Sequence, residues 1–537
     1  MNSMKSKTLN NLHRLTRLNY ESKTEINNRE RSEIIKLADL VKPLLKVKVF
    51  GKLDGEISGL SYDSRFTKPG QLFTCIKGTK DDGHKYLEDV LSKGVSAVVA
   101  QYDCLSSEQK KLLTQIDIPV ILVTDSRKAF AILASKYYNY PGDSLRVTGV
   151  TGTKGKTTTV NLIDKLLSEG KEVKTGMIGT INARIDDQEE KQPTTTPGPL
   201  ELNELLGRIE NSGASHVTLE VSSHAISQLR IAGVDLDIAV YTNLAPEHLD
   251  YHTDMDEYKR TKGRIFSFQG LKPEKNDKPK LAVINLDDKY ASYMLEQPAV
   301  QVLTHGFDEN AHVKGKIINT AETFTELKIT SPWGNFTVKT PLIGKFNCYN
   351  LLAAITVALF EGIPASKIQT ILEQPINIPG RFERIDLGQE FTVVVDFAHT
   401  TDSLQEVLQS LRQMVSGKIG VVFGCGGERD KSKRPKMGRA ASDLGDKIFI
   451  TSDNPRAEDP QKIVQDILSG CDVNNNEKIQ IELDRAQAIE KSLNWAREGD
   501  AVLIAGKGHE ATQEINGKVI NFDDREIARE KLKKMGY

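Results

Sequence analysis

Seven short apolar runs, rich in β-branched residues, each stop at a polar or glycine-rich signature. Leu145–Val150 runs into Thr151-Gly152-Thr153-Lys154-Gly155-Lys156-Thr157, and His216–Leu219 into Glu220-Val221-Ser222-Ser223-His224. Ile238–Tyr241 precedes Thr242-Asn243-Leu244-Ala245-Pro246-Glu247-His248. Later, Val393–Val395 meets Asp396-Phe397-Ala398-His399, and Ile419–Phe423 meets Gly424-Cys425-Gly426-Gly427. Ile448–Ile450 leads to Thr451-Ser452-Asp453-Asn454-Pro455-Arg456, and Val502–Ala505 to Gly506-Lys507-Gly508-His509-Glu510. Helix-patterned segments such as Thr157–Ser168 and Asn350–Phe360 lie between the runs. The alternation predicts an α/β fold with largely parallel sheets. Ligands in such folds bind beyond the carboxyl ends of the strands, so the signatures predict one site built from two α/β units.

The turn signals Tyr140-Pro141-Gly142-Asp143 and Pro379-Gly380 divide the chain of 537 residues into three units. The expected boundaries are 34–143, 144–378 and 379–537, preceded by a polar extension at 1–33. That extension lacks the apolar stretch of a secretory signal, and its first twenty residues are basic without an acid. It reads as an added segment, with an organellar transit peptide as the alternative. No apolar run approaches the ~20 residues that cross a bilayer. Lys plus Arg (72) balances Asp plus Glu (73), so no overall basic field points to nucleic acid or a membrane surface. Five scattered cysteines with no CxxC spacing point to a reducing, cytoplasmic setting and away from a zinc site.

Gly152-Thr153-Lys154-Gly155-Lys156-Thr157-Thr158 reads as a phosphate loop. Glycines let backbone N–H groups approach a polyphosphate, and the following helix adds its positive N-terminus. Lys156 would reach the terminal phosphates, and Thr157 would hold Mg²⁺. The strict pattern asks for a glycine at 150, where this chain has Val150. Glu220 and His248 end neighbouring runs and read either as metal ligands or as packing residues. The basic group Arg429, Lys431, Lys433, Arg434, Lys436 and Arg439 reads as a solvated face or, following Gly426-Gly427, as an anion site. No aromatic residues interleave it, which speaks against nucleic acid. Asp396, His399, His509 and Glu510 lack a nucleophile signature and read as ligand-positioning groups.

Together these signatures resemble the Mur ligase family, over about residues 34–537 and in the family's order. The loop TGTKGKTTT resembles the family's TGTNGKTTT, with Lys154 in place of Asn. The resemblance implies a three-domain architecture: a uridine-nucleotide-binding start, a central P-loop ATPase domain and a Rossmann-like C-terminal domain. It implies an ATP-dependent ligase of peptidoglycan precursor synthesis. The reaction would join meso-diaminopimelate to the D-glutamate of UDP-N-acetylmuramoyl-L-alanyl-D-glutamate through an acyl phosphate. Tyr62, Ser64, Thr79, Lys80 and Asp81 match the uridine-nucleotide segment. Thr194, Thr195, Thr196, Ser222, Gln228 and Arg230 match positions that hold the muramoyl dipeptide. Asn285 matches the adenine side, and Arg381 the link into the third domain. Lys156, Glu220, His248 and Lys262 are the implied catalytic set. Thr157, Glu220, His248 and Lys262 are the implied metal ligands, with Lys262 carbamylated by CO₂. From the residues alone, Lys262 reads as an ordinary helix-surface lysine.

Asp453-Asn454-Pro455-Arg456 resembles the family's DNPR form, associated with diaminopimelate, with Arg429, Gly506 and Glu510 around the same amino acid. A guanidinium grips a carboxylate through two parallel bonds, and the distal end of diaminopimelate carries one where lysine does not. Three residues depart from the family's usual pattern: Lys154, Phe397 for Tyr, and Thr401 for Pro. The alternatives are a related ligase adding L-lysine or glutamate, and a nucleotide-binding paralogue without ligase chemistry. A monomer is expected.

Overall fold

The computed structural model describes residues 34–78, 81–186, 188–249, 251–275, 278–471 and 476–537. The expectations for residues 1–33, Thr79 and Lys80 fall outside them. Three sheets carry the chain. The first has five strands in the order Lys48–Phe50, Val120–Val123, Ala97–Gln101, Leu72–Thr74, Leu60–Ser61, parallel except for the first pair. The second has eleven strands, and the third has six.

In the eleven-stranded sheet the phosphate-loop strand Arg146–Thr151 lies between His216–Glu220 and Ile238–Tyr241, parallel to both. Glu220 is in register with Val150, and Tyr241 with Thr151. Three of the signatures therefore leave the sheet side by side. Successive residues alternate between two cores. Val150, Val240 and Val283 face one, and Ala239, Tyr241, Ala282 and Ile284 face the other. Strands buried on both faces read as continuous apolar runs, which is why the runs are visible in the sequence.

One core is closed by the helix Lys156–Lys171 packed on Lys345–Phe360. The other is closed by Pro199–Asn211 together with Ile226, Leu236 and Phe266. The remaining strands at one end, Val313–Thr320, Thr325–Ser331 and Gly334–Thr340, form an antiparallel meander.

The six-stranded sheet runs Glu383–Ile385, Thr392–Asp396, Ala501–Ala505, Ile419–Phe423, Lys447–Ile450, Ile479–Ile481. All but the first strand are parallel. Asp396, Gly506, Gly424 and Thr451 thus emerge on one edge. Beneath that edge Arg485 is fully buried and bonded through Nε and Nη2 to Asp524, 2.7 Å each. No described helix is long and apolar enough to cross a membrane.

His305, on the strand Gln301–Gly306, is fully buried, and neither ring nitrogen makes a hydrogen bond of normal geometry. Burial lowers it to about 4, against the partial opposition of the Asp287 carboxylate and the Tyr241 backbone. The unfolded chain titrates near 6.5, so the stability that neutral His305 permits is present above that pH. It is lost as pH falls toward 4. The drop in urea midpoint between pH 7.5 and pH 5 is expected to be larger in the wild type than in His305→Leu. Equal drops would remove His305 from this account.

Candidate active site

The strand Arg146–Thr151 passes into its helix through four residues fixed from the neighbouring strand end. Thr153 N–H donates to the Asn243 carbonyl (2.9 Å), and Lys154 N–H to Asn243 Oδ1 (3.0 Å). The Lys154 carbonyl accepts from Thr242 Oγ1 (2.7 Å) and Asn243 Nδ2 (3.0 Å). Gly155 caps the helix with φ 82°, and a β-carbon there would sit 2.2 Å from Asn350 Oδ1. Thr158 is buried in the first helical turn.

Two ammonium groups converge on this loop. Lys156 Nζ donates to the carbonyls of Gly152 and Thr153, both at 2.9 Å. Lys262 Nζ donates to the same Gly152 carbonyl at 2.7 Å and lies over the Tyr258 ring, 4.9 Å from its centre. Lys262 is 1% exposed, so the helix-surface reading of this residue is wrong. It sits in the last turn of Met255–Gly263, whose inward face rests on the loop. Burial first, and then the charge of Lys156, pulls the Lys262 ammonium well below the usual lysine range, with Glu247 opposing. Lys156 is lowered too, by burial and Arg381, with Glu247 and Glu220 opposing.

Glu220 is buried at the end of its strand. Its Oε1 accepts from Thr180 N (2.8 Å), and its Oε2 from Thr180 Oγ1 (3.0 Å) and Thr157 Oγ1 (3.1 Å). Arg381 Nη2 donates to the same Thr157 oxygen at 3.2 Å. His248 adopts φ 58° and packs its ring edge-on against His224, 4.9 Å between centroids, and 6.4 Å from Tyr258. Among the described residues no three His, Cys, Asp or Glu side chains lie close enough to hold a metal by themselves. Any ion at Thr157 and Glu220 therefore needs ligands of another kind.

Glu247 is the residue that sequence reasoning missed. Burial opposes its ionisation, but His399, His248, Lys156 and Lys262 outweigh that and hold it below the usual carboxylate range. The available signal was its place immediately before His248, in the signature that follows the strand Ile238–Tyr241. Asn285 is also more constrained than expected. Its Nδ2 donates to the Thr242 carbonyl (2.8 Å) and its Oδ1 accepts from Asp287 N (3.1 Å), so it ties two strand ends together.

Beside Glu220, one hydrogen-bonded set contains all six residues expected to hold the dipeptide. Thr196 Oγ1 donates to the Glu220 carbonyl (2.8 Å) and accepts from Ser222 N (3.0 Å). Arg230 Nη1 donates to the Thr196 carbonyl (2.7 Å), and its Nη2 to Gln228 Oε1 (2.9 Å). Thr194 Oγ1 donates to the Thr196 carbonyl, and Thr180 Oγ1 to Thr195 Oγ1. Tyr62 reaches this region from the first sheet, donating to Glu201 Oε1 at 3.4 Å. Ser64 and Asp81 make their bonds within the N-terminal unit instead. The Ser64 carbonyl accepts from Lys93 Nζ, and the Asp81 carboxylate accepts from Tyr86 and Asp82 N–H.

At the third sheet's edge, Asn454 Nδ2 donates to Glu510 Oε2 (2.9 Å), and Asp453 Oδ1 accepts from Asn454 N (2.7 Å). Gly506 (φ 116°) leaves only 2.8 Å between a would-be β-carbon and Asp453 Oδ2. Arg456, at φ 54° after Pro455, donates from its backbone N–H to the Glu514 carbonyl (3.0 Å) and from Nη1 to the Gly427 carbonyl (2.7 Å). The strand Thr512–Ile515 clamps it there. Arg429 and Arg456 both flank Gly426. Half of the wider basic cluster is paired with acids of the same unit. Arg434 is buried between Glu458 and Asp466, Lys431 pairs with Glu458, Arg439 with Asp443, and Lys433 donates to the His399 carbonyl. Arg429, Lys433 and Lys436 have no ion-pair partner among the described residues, and of these Arg429 is the one that stands beside Arg456 at Gly426.

The third unit meets the phosphate loop through Arg381, through His399 Nε2 to Glu247 Oε1 (3.7 Å), and through Lys154 Nζ to Glu406 Oε1 (2.9 Å). The three departures from the family pattern fit this contact. Lys154 has Glu406 as its partner. Phe397 offers the ring on which Arg381 stacks, 4.7 Å away, which needs no hydroxyl. Thr401 is the first residue of a helix capped by Thr400 and Ser403, where a free N–H is tolerated as well as proline's absent one.

The family descriptions "Mur ligase family, catalytic domain", "Mur ligase middle domain" and "Mur ligase, glutamate ligase domain" match residues 56–138, 150–358 and 380–508. The UDP-N-acetylmuramoyl-L-alanyl-D-glutamate–2,6-diaminopimelate ligase of Geobacillus kaustophilus is 41% identical over 482 residues, 90% of this chain and 96% of the relative. The chain belongs to the Mur ligase family. The enzyme of the same name from Syntrophomonas wolfei is 40% identical, covering 93% of this chain and 99% of the relative. A solved structure titled with that enzyme name is 32% identical, with TM-score 0.66, over 94% of this chain and all of that one. The MurF ligase of Thermotoga maritima in complex with ADP shares the fold at 20% identity and TM-score 0.57.

Gly155→Ala is expected to weaken ADP binding by more than about tenfold and to lower the melting temperature, because the substitution strains the backbone and drives into Asn350. Unchanged ADP affinity in titration calorimetry would contradict this reading of the loop.

Proposed function

We propose that this chain joins 2,6-diaminopimelate to UDP-N-acetylmuramoyl-L-alanyl-D-glutamate at the expense of ATP, in peptidoglycan precursor synthesis. The observation that carries it is the amino-acid edge of the third sheet. Arg456 presents its Nη2 end with no bond among the described residues, Arg429 stands beside it, and Glu510 lies across Asn454. That arrangement suits a substrate end bearing both a carboxylate and an ammonium group. The relatives named for this substrate support the same choice. Five cysteines, all free thiols, suit the reducing cytoplasm in which we place the reaction.

A carboxylate oxygen of the D-glutamate side chain attacks the γ-phosphorus of ATP, ADP leaves, and an acyl phosphate results. The diaminopimelate amine then attacks the acyl carbon, loses a proton and expels phosphate. Such transfers depend on positioning and charge neutralisation. Lys156, with the N–H groups of Gly152–Thr158, would take the polyphosphate. Thr194, Thr195, Thr196, Ser222, Gln228 and Arg230 would hold the dipeptide next to it. Thr157 and Glu220 offer adjacent hard oxygen donors, which fit Mg²⁺, with His248 and a carbamylated Lys262 as further ligands. When bound, the ion neutralises phosphate charge. Lys262 is suited to carbamylation because burial and the charge of Lys156 favour its uncharged amine. A neutral amine adds to CO₂, forming an N–C bond and releasing one proton. The product is an anionic oxygen ligand where a cation would repel Lys156.

ADP release by the purified full-length chain should rise when the nucleotide dipeptide and meso-diaminopimelate are both present, and not with either alone. Arg456→Asn should lower kcat/KM for diaminopimelate by about 10- to 100-fold, the worth of a charge-assisted hydrogen bond, while KM for the nucleotide dipeptide stays within about twofold. No stimulation by diaminopimelate in the wild type would sink the assignment.

A further inference from the structure

Lys507 is 0% exposed and is assigned no part in the reaction above. Its Nζ donates to three acceptors: the Thr512 carbonyl (2.6 Å), Glu510 Oε2 (3.2 Å) and Asn454 Oδ1 (3.3 Å). Each of its protons is used. Asn454 Oδ1 also accepts from Glu514 N–H at 3.0 Å, so cation and backbone together fix which way the amide faces. Asn454 Nδ2 is thereby turned onto Glu510 Oε2. Glu510 therefore has one oxygen bonded twice within the protein, and Oε1 left without a partner among the described residues.

The charge pattern is as specific as the geometry. Lys507 sits against Glu510, and Arg456 Nε lies 3.4 Å from Glu514 Oε2. Two opposite pairs line the edge, so each of these carboxylates has a cation against it. A buried ammonium persists only when paired in this way. The distal end of diaminopimelate is itself a zwitterion with no net charge. The side chain of L-lysine ends in a lone ammonium. A pocket whose acids are already balanced offers the lone cation little attraction, and Arg429, with no ion-pair partner among the described residues, repels it.

We propose that Lys507 is a specificity-determining positioning residue: by balancing Glu510 and orienting Asn454, it keeps Glu510 from attracting a lone ammonium and so makes the pocket selective for an amino-carboxylate end. The proposal rests on the amino-acid site assigned above. It predicts that removing this one positive charge turns the pocket toward L-lysine, although Lys507 itself donates no bond to the substrate.

The experiment measures ADP release with meso-diaminopimelate and with L-lysine, at saturating ATP and nucleotide dipeptide. Lys507→Met is compared with Lys507→Gln, whose amide can still donate to the Thr512 carbonyl if the first variant folds poorly, and with Lys507→Arg, which keeps the charge. The ratio of kcat/KM for diaminopimelate to that for L-lysine should fall about tenfold or more in the Met and Gln variants, as expected for an unbalanced nearby charge. It should stay near the wild-type ratio in Lys507→Arg. KM for ATP and for the nucleotide should hardly move. If both amino acids lose activity in parallel and the ratio is unchanged, Lys507 is only structural and the proposal falls. If the wild type does not use diaminopimelate at all, the functional reading fails first, and the two failures are distinct.

Discussion

Two lysine ammonium groups share one carbonyl oxygen, that of Gly152, and the rest of the site is arranged around that fact. Like charges brought together and buried are costly unless anions offset them. Among the described residues Glu247 and Glu220 are the acids that act on Lys156, and Glu220 is already committed to Thr157 and Thr180. The residual positive field is what a polyphosphate requires. It also drives Lys262 toward its neutral form, the form that reacts with CO₂. The proposed carbamylation thus has a physical cause in burial and in the proximity of Lys156.

The third unit docks on the same loop with three polar contacts. Of these, Lys154–Glu406 is partly exposed, at 22% and 44%, and exposed pairs of this kind contribute roughly 0–1 kcal/mol. Apolar packing adds to these contacts, because Ile343 of the central unit is buried in the third unit's core and Phe346 packs 6.0 Å from Phe382. Arg381 matters more, because it stacks on Phe397 within its own unit while bonding Thr157 in the central one. The linker residue that joins the units therefore also senses the phosphate loop.

Much of this was legible in the sequence. Strands buried on both faces leave unbroken apolar runs, and parallel order puts the residues after them on one edge, so Glu220, Gly152–Thr158 and Asp453–Arg456 could be picked out by position. The loop was recognisable although Val150 breaks its strict pattern, since the strand before it and the helix after it are intact. What the sequence hid depends on distant partners. Arg434 belongs to Glu458 and Asp466, more than twenty residues away, so half of a run that read as a solvated face or an anion site is held in ion pairs. Lys262 looks like a helix-surface residue until Tyr258 and Gly152 enclose it. Glu247 and Lys507 stand inside conspicuous signatures, yet their roles follow from what the fold brings against them.

The state of Lys262 is the most direct test of this electrostatic account. Carbon-13 NMR of the full-length protein in ¹³C-bicarbonate should show one carbamate carbon that is absent from Lys262→Ala. Activity of the wild type should fall in CO₂-depleted buffer and return when bicarbonate is restored. No carbamate signal, together with full activity in CO₂-free buffer, would contradict the account: Lys262 would then act as an ammonium, and the loop would carry its positive charge unrelieved.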